Sequence, residues 1–191
     1  MRAAVVQHAV TDQYGNKALI SPVSQSDLEP IARLAREIWY LHYPGIITVR
    51  QIDYMLEQRY RPDVIASQIA AHEAWWDKIE AGSFLAGFAC YEPGSATDSV
   101  KPVSVKLDKL YVHPKAQRHG FGHALVEHVE ASSRERGFSK LYLQVNKGNT
   151  GSIAFYRRAG FEITDSITID IGDGYVMDDF VMSKRLGGNT G

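Results

Sequence analysis

Between Ser104 and Val145 the sequence passes from an alternating strand pattern, through a glycine-bearing turn, into a helix and out into a second apolar strand. That order commits the stretch to a βαβ unit. Ser104 to Val112 alternates and stops at His113-Pro114, because a residue before proline is pushed away from helix. Phe121, Leu125, Val129 and Ser132 mark one helix face, Gly137 ends the helix, and Leu141 to Val145 is the next strand.

The flanks add antiparallel pieces. Ala3 to Val10 and Ala18 to Val23 predict a leading hairpin around the turn residues Asp12 to Asn16. Ser26 and Glu29 have capping-box spacing ahead of Ile31, Leu34, Ala35, Ile38 and Trp39, which predicts an amphipathic helix. Pro44-Gly45 breaks the chain, and Thr48 with Gln51 repeats the box before Ile52, Met55 and Leu56. Asp63 then opens a third helical piece over Val64 to Ala71. Trp75 to Ile79 and Phe84 to Tyr91 read as a hairpin, with one of Trp75 and Trp76 in the core. Glu92 to Pro102 reads as an exposed loop, Thr150 to Ala159 as a short helix, and Ile163 to Asp170 with Tyr175 to Lys184 as two last strands. The expected class is α/β: a mixed, mostly antiparallel sheet with a central βαβ unit and flanking helices. One domain is expected over 1–191, with 1–17 as an N-terminal extension and 187–191 as a loose tail.

Composition narrows the function. Lys plus Arg is 21 against 22 for Asp plus Glu, a net charge of −1, so no basic excess is available for a phosphate backbone. Nucleic acid is an unexpected partner. With 45% hydrophobic and 23% charged residues the chain has the material for a core. The single Cys90 cannot form an intrachain disulfide, its apolar strand suits a small buried side chain, and a reducing, cytoplasmic setting is expected. No apolar run approaches the roughly 20 residues that span a bilayer, and Met1 to Val10 lacks a signal-peptide layout, so no membrane is expected.

The turn from Gln117 to Gly122 carries the chemistry. Its glycines admit close approach, and the free N–H groups at the following helix start, with Arg118, suit a phosphate or pyrophosphate. An ordinary tight turn has the same local pattern. A Walker loop is excluded because no Gly-Lys-Ser/Thr follows, and a dinucleotide fingerprint is disfavoured by Leu125 where a small residue belongs. His119 and His123 have i, i+4 spacing, but Gly120 stands where a metalloprotease helix needs Glu, so no metal is expected.

Gln117-Arg118-His119-Gly120-Phe121-Gly122 resembles the acetyl-CoA loop of the GCN5-related N-acetyltransferase (GNAT) superfamily. Asn149, Ala154-Phe155-Tyr156 and Gly160-Phe161 resemble a second segment of that superfamily, in the same order and spacing. The two motifs and the strand before the loop cover about Leu107 to Phe161. The resemblance implies that Leu110, Tyr111 and Val112 hold the pantetheine arm through their backbone. It implies that the amides from Gln117, Arg118, His119, Gly120, Phe121 and Gly122 bind pyrophosphate. His123, Asn149 and Ser152 join the implied cofactor set, and the hydroxyl of Tyr156 is implied to lie beside the thioester sulfur. Asn149 is equally a good N-cap, and Tyr156 equally an aromatic with its tip in water.

Acetyl transfer to an amine needs a neutral nucleophile, a polarised carbonyl and a proton for the departing thiolate. A backbone N–H at Val112 meets the second need, and Tyr156, a phenol with a pKa of about 10, meets the third. Asp108 is the carboxylate on the relevant strand, although other family members place Glu two residues earlier, where this chain has Lys106. The expected product is an N-acetylated small-molecule amine. His42, Tyr43, Tyr54, Glu57 and Asp178 or Asp179 are candidate acceptor contacts. The N-terminal helices and the Tyr156 segment loosely resemble bacterial polyamine acetyltransferases, and acidic acceptor walls would favour a polyamine. A non-catalytic acetyl-CoA sensor, a protein or peptide N-acetyltransferase, and a homodimeric assembly stay open on sequence alone.

Overall fold

Among the residues that the computed structural model describes, 7–11, 15–94 and 103–187, alternating runs form strands and 3.6-residue patterns form helices. The chain forms two compact units, Met1–Tyr91 with Lys109–His128, and Glu92–Asp108 with Val129–Gly191.

In the first unit, β1 (His8–Thr11), β2 (Lys17–Pro22), β3 (Trp75–Ala81) and β4 (Phe84–Pro93) pair antiparallel in that order, followed by the end of β5 (Ser104–Val112). Of the expected leading hairpin the described residues include β1 from His8 and its pairing with β2, while residues 1–6 and 12–14 lie outside the described residues. The expected N-terminal extension contributes a strand, since His8↔Ile20 and Thr11↔Lys17 are in register. Three helices follow β2: α1 (Leu28–His42), α2 (Val49–Arg59) and α3 (Pro62–Ala70). Leu28, Ile31, Leu34, Ala35, Ile38 and Trp39 form the buried stripe of α1, as the periodicity predicts.

Two helix starts differ from expectation. The reciprocal cap precedes α1 at Ser24 and Asp27, with the Ser24 N–H donating to Asp27 Oδ2 at 2.8 Å, while Ser26 and Glu29 fall inside the turn and helix. Ser-x-x-acid spacing occurs twice in overlapping positions here, so spacing alone could not choose. Helix α3 starts at Pro62 rather than after Asp63, because proline at the first helical position lacks only an N–H that would have no helical partner. The cap of α2 is as expected, with Thr48 Oγ1 accepting the Gln51 N–H at 3.2 Å. Trp76 is the core member of its pair, and Cys90 is fully buried.

In the second unit, the start of β5 pairs in parallel with β6 (Lys140–Asn146), from Ser104↔Lys140 to Lys106↔Tyr142. Helix α4 (Phe121–Glu135), whose residues to His128 belong to the first unit and from Val129 to the second, connects β5 to β6 along the chain. Antiparallel ladders join β6 to β8 (Tyr175–Arg185) and β8 to β7 (Glu162–Gly172), so the order runs β5-β6-β8-β7. Helix α5 (Thr150–Arg158) sits between β6 and β7 in the chain. Leu141, Leu143, Phe161 and Met182 are buried in this unit's core. Strand β4 continues through Glu92 and Pro93, the first two residues of the stretch expected to be a loop from Glu92 to Pro102, because it stays beside β5 past Tyr91, with Glu92 3.8 Å from Lys106. Residues 95–102 of that loop and 188–191 of the tail expected over 187–191 lie outside the described residues.

Candidate active site

Strand β4 makes room for the end of β5. A Cβ at Gly87 would overlap the Tyr111 carbonyl oxygen and stand 3.2 Å from Val112 Cα, so only glycine allows this approach. One residue on, the His113 N–H donates to Ala86 O at 2.8 Å. Leu110, Tyr111 and Val112 are therefore held by β4 in an extended conformation, beyond the stretch of β5 that pairs with β6.

After β5 the chain makes a 3-10 turn over Pro114–Ala116 and then bends through Gln117, Arg118, His119 and Gly120 into α4. Arg118 has φ 65° and Gly120 φ 86°. Left-handed residues within a turn orient successive N–H groups into one concavity, and an arginine held there is strained by about 1–3 kcal/mol. The α4 N-terminus begins at Phe121, and the Ala124 N–H already bonds Gly120 O at 3.0 Å. A Cβ at Gly120 would meet nothing within 4 Å. A left-handed turn, a helix start and an arginine are thus adjacent, the elements from which anion sites are built. His119 stacks on Phe121 at 5.7 Å, His123 is exposed in the first turn of α4, and Gly122 is half-buried.

Behind the end of β5 lies an aromatic group that sequence reasoning named only in part. The Tyr43 and Tyr111 hydroxyls are 3.1 Å apart, and Trp39 and Tyr60 rings each stand 6.2 Å from the Tyr111 ring. Burial first, then Tyr43 and Tyr60, push the Tyr111 phenol well above its usual range, so it stays neutral. Lys109, also buried, lies 4.9 Å from the Trp76 ring centre and 5.6 Å from that of Tyr60. Local patterns name Trp39 as a position on α1 but could not group it with Tyr60 and Lys109, because these contacts join β5 to α1, to the residue after α2 and to β3.

In the second unit, Asn149 is buried and caps α5: its Oδ1 accepts the Ser152 N–H at 3.2 Å. The capping alternative is therefore realised, and its Nδ2 is the group of the correct sign to meet a cofactor carbonyl. Tyr156 is 9% exposed on α5, packed edge-on against Phe155 and Phe161. Gly160, at φ 88°, turns the chain after α5, and a Cβ there would press on Lys184 Cε at 3.2 Å. The Asp108 side chain is only 4% exposed and lies 2.8 Å from Lys106 Nζ, which is also 3.8 Å from Glu92. Asp178 is exposed and ion-paired with Lys147, whereas Asp179 is buried opposite Asn146 in the β6–β8 register.

The expected acceptor residues divide. Tyr43 joins Tyr111 beside β5, and His42 packs edge-on against Tyr43. Tyr54 and Glu57 instead line a cleft of about 620 Å³ with Arg33, Arg36, Asp53 and Arg61. Glu57 is ion-paired to Arg61 at 3.2 Å. Three arginines against two carboxylates make this wall mixed rather than acidic.

The profile of the acetyltransferase (GNAT) family matches residues 33–161, and the chain belongs to that family. It is an acetyl-CoA-dependent N-acetyltransferase. Over 172 residues it is 26% identical to a spermidine N(1)-acetyltransferase of Thermoplasma acidophilum, covering 87% of this chain and 96% of that protein. A [ribosomal protein bS18]-alanine N-acetyltransferase of Escherichia coli is 40% identical over 55 residues, 29% of this chain and 37% of its own. The crystal structure of the paia N-acetyltransferase from Thermoplasma acidophilum in complex with coenzyme A has the same fold. Its TM-score is 0.74 at 24% identity, over 88% of this chain and 98% of that one.

Proposed function

We propose that this acetyltransferase acts on a primary amine of a small molecule, with a polyamine as the leading acceptor. The supporting observation is the likeness to a spermidine acetyltransferase, which extends over 87% of the chain. The stronger identity to a protein acetyltransferase covers 29% and carries no argument about the acceptor. The mixed charge of the Tyr54–Glu57 cleft adds no support for a cationic acceptor, so the reading rests on the relative.

The assigned roles follow the chemistry. The backbone of Leu110 to Val112 receives the pantetheine arm, and the Val112 N–H polarises the thioester carbonyl. The turn from Gln117 to Gly122 and the start of α4, including His123, hold the pyrophosphate. Asn149 Nδ2 and the region of Ser152 contact the arm. The amine attacks directly in a ternary complex, without a covalent enzyme intermediate; as the C–S bond breaks Tyr156 gives its phenolic proton to the departing thiolate, the new amide nitrogen loses its extra proton to water, and the tyrosinate is reprotonated from solvent. Asp108 serves as the counter-ion of Lys106, whose ammonium is 2.8 Å away. The amine reacts in its neutral form, whose share grows as pH approaches the amine's own pKa.

The test follows free thiol release from acetyl-CoA with polyamines, amino acids, aminoglycosides and peptide N-termini as acceptors. Spermidine or another small amine is the expected preferred acceptor. Efficient turnover on peptides alone would overturn the small-molecule reading.

A further inference from the structure

His113 lies between the last residue of β5 and the turn, outside the set of residues expected to contact the cofactor, yet it is tied at four points. Its N–H donates to Ala86 O at 2.8 Å, and its carbonyl accepts the Ala116 N–H at 2.8 Å. Ring Nδ1 accepts the Lys115 N–H at 3.0 Å, and ring Nε2 stands 3.1 Å from Glu37 Oε1 on α1. A ring nitrogen that accepts from an amide carries no proton, so the ring proton is on Nε2 and is donated to Glu37. The side chain is 8% exposed, with Phe84 edge-on to the ring at 5.1 Å.

This geometry makes the imidazole the cap of the 3-10 turn over Pro114–Ala116. That turn is the base from which the chain enters the left-handed positions Arg118 and Gly120. The next link is short: the Gln117 N–H bonds Pro114 O at 3.3 Å, and Gln117 Nε2 returns to Val112 O at 3.4 Å. Glu37 holds the ring in the one tautomer and orientation that leaves Nδ1 facing the Lys115 amide.

We propose that His113, oriented by Glu37, is a positioning residue for the donor substrate: it sets the turn so that its N–H groups converge on the pyrophosphate. The proposal rests on the reading of that turn as the pyrophosphate site. It acts on one part of the ligand only, and this separates it from a general role in packing.

The test compares coenzyme A with pantetheine, which has the same arm and thiol but no pyrophosphate, by calorimetry on the whole chain. The parent protein should bind coenzyme A more tightly than pantetheine. His113→Ala should weaken coenzyme A binding about five- to tenfold, the scale of a lost cap, and leave pantetheine binding at the parent value. His113→Asn should recover most of the loss, because the Asn side-chain oxygen accepts an N–H two residues on. Glu37→Ala should weaken coenzyme A alone, by a smaller factor, and Glu37→Gln should match the parent since its amide oxygen still accepts from Nε2. These two variants carry the comparison if His113→Ala does not fold. Equal loss for both ligands, or no loss for coenzyme A, would overturn the positioning role. A parent that binds the two ligands equally would remove the pyrophosphate site itself, and the proposal with it.

Discussion

Lys106 Nζ lies 2.8 Å from Asp108 on the same face of β5, and the carboxylate is 4% exposed while the lysine is 18% exposed. Removing one partner of a fully buried pair costs about 3–5 kcal/mol. Glu92 at 3.8 Å gives Lys106 a second carboxylate, so the loss here should be smaller. Asp108→Asn is expected to destabilise the protein by about 1–3 kcal/mol in denaturant melts while kcat/KM keeps its rise with pH. A variant of parental stability whose pH–rate profile has lost that rise would instead make Asp108 the base.

Gly120 tests the pyrophosphate turn. Its φ of 86° is a conformation that side chains rarely adopt, while the space around its Cβ position is open. Gly120→Ala should therefore cost about 1–2 kcal/mol of backbone strain without a clash, and Gly120→Val should add bulk where the pyrophosphate is proposed to bind. Coenzyme A affinity is expected to fall in the order parent, Ala, Val, measured by calorimetry on variants whose circular dichroism is unchanged. Coenzyme A should also raise the melting temperature of the parent by mass action.

Tyr156→Phe keeps the ring packed against Phe155 and Phe161 and removes only the donor. General acid catalysis contributes about a hundred- to ten-thousand-fold, so single-turnover rates should drop towards that range with coenzyme A affinity nearly intact. Parental rates at several pH values would reduce Tyr156 to a packing residue.

The pair of Asp27 and Lys78, 2.7 Å apart, ties the start of α1 to β3. Burial alone would raise the Asp27 pKa, but hydrogen bonds from Lys78 and Ser24 more than offset it and hold the group below its usual range. Burial likewise opposes the charge on Lys78, and hydrogen bonds to Asp27 and Glu80 outweigh it, so its pKa is raised. A lowered carboxylate contributes stability above its unfolded value of about 3.9, lost as pH falls through the folded value. A raised lysine contributes below about 10.4, and that part is lost as pH rises through its folded value. Asp27→Asn should thus flatten the acid limb of the stability profile below about pH 4, and Lys78→Met the alkaline limb. Unchanged limbs in urea melts across pH would show that the pair contributes nothing.

Local order along the chain already determined most of the architecture. The alternation of Ser104 to Val112, the helical spacing of Phe121 to Ser132 and the glycines at 120, 137 and 160 specify element type and order, because backbone sterics and one-sided burial act within a few residues. The turn proposed to bind pyrophosphate stands out in the sequence for the same reason: glycine, arginine and a helix start are contiguous. Helix starts were less legible where two caps competed, as at Ser24 and Ser26.

Only the tertiary structure decided which partners those residues take. Lys106 and Asp108 are two apart on one strand, but their burial turns a surface charge into a committed pair. Asn149 spends its oxygen on the Ser152 amide, and Glu57 spends its charge on Arg61. His113 and Glu37 are 76 residues apart, and Tyr43 and Tyr111 are 68 apart. No local pattern encodes such pairs, because a hydrogen bond between distant segments forms only when the burial of many other side chains has brought its two ends within about 3 Å.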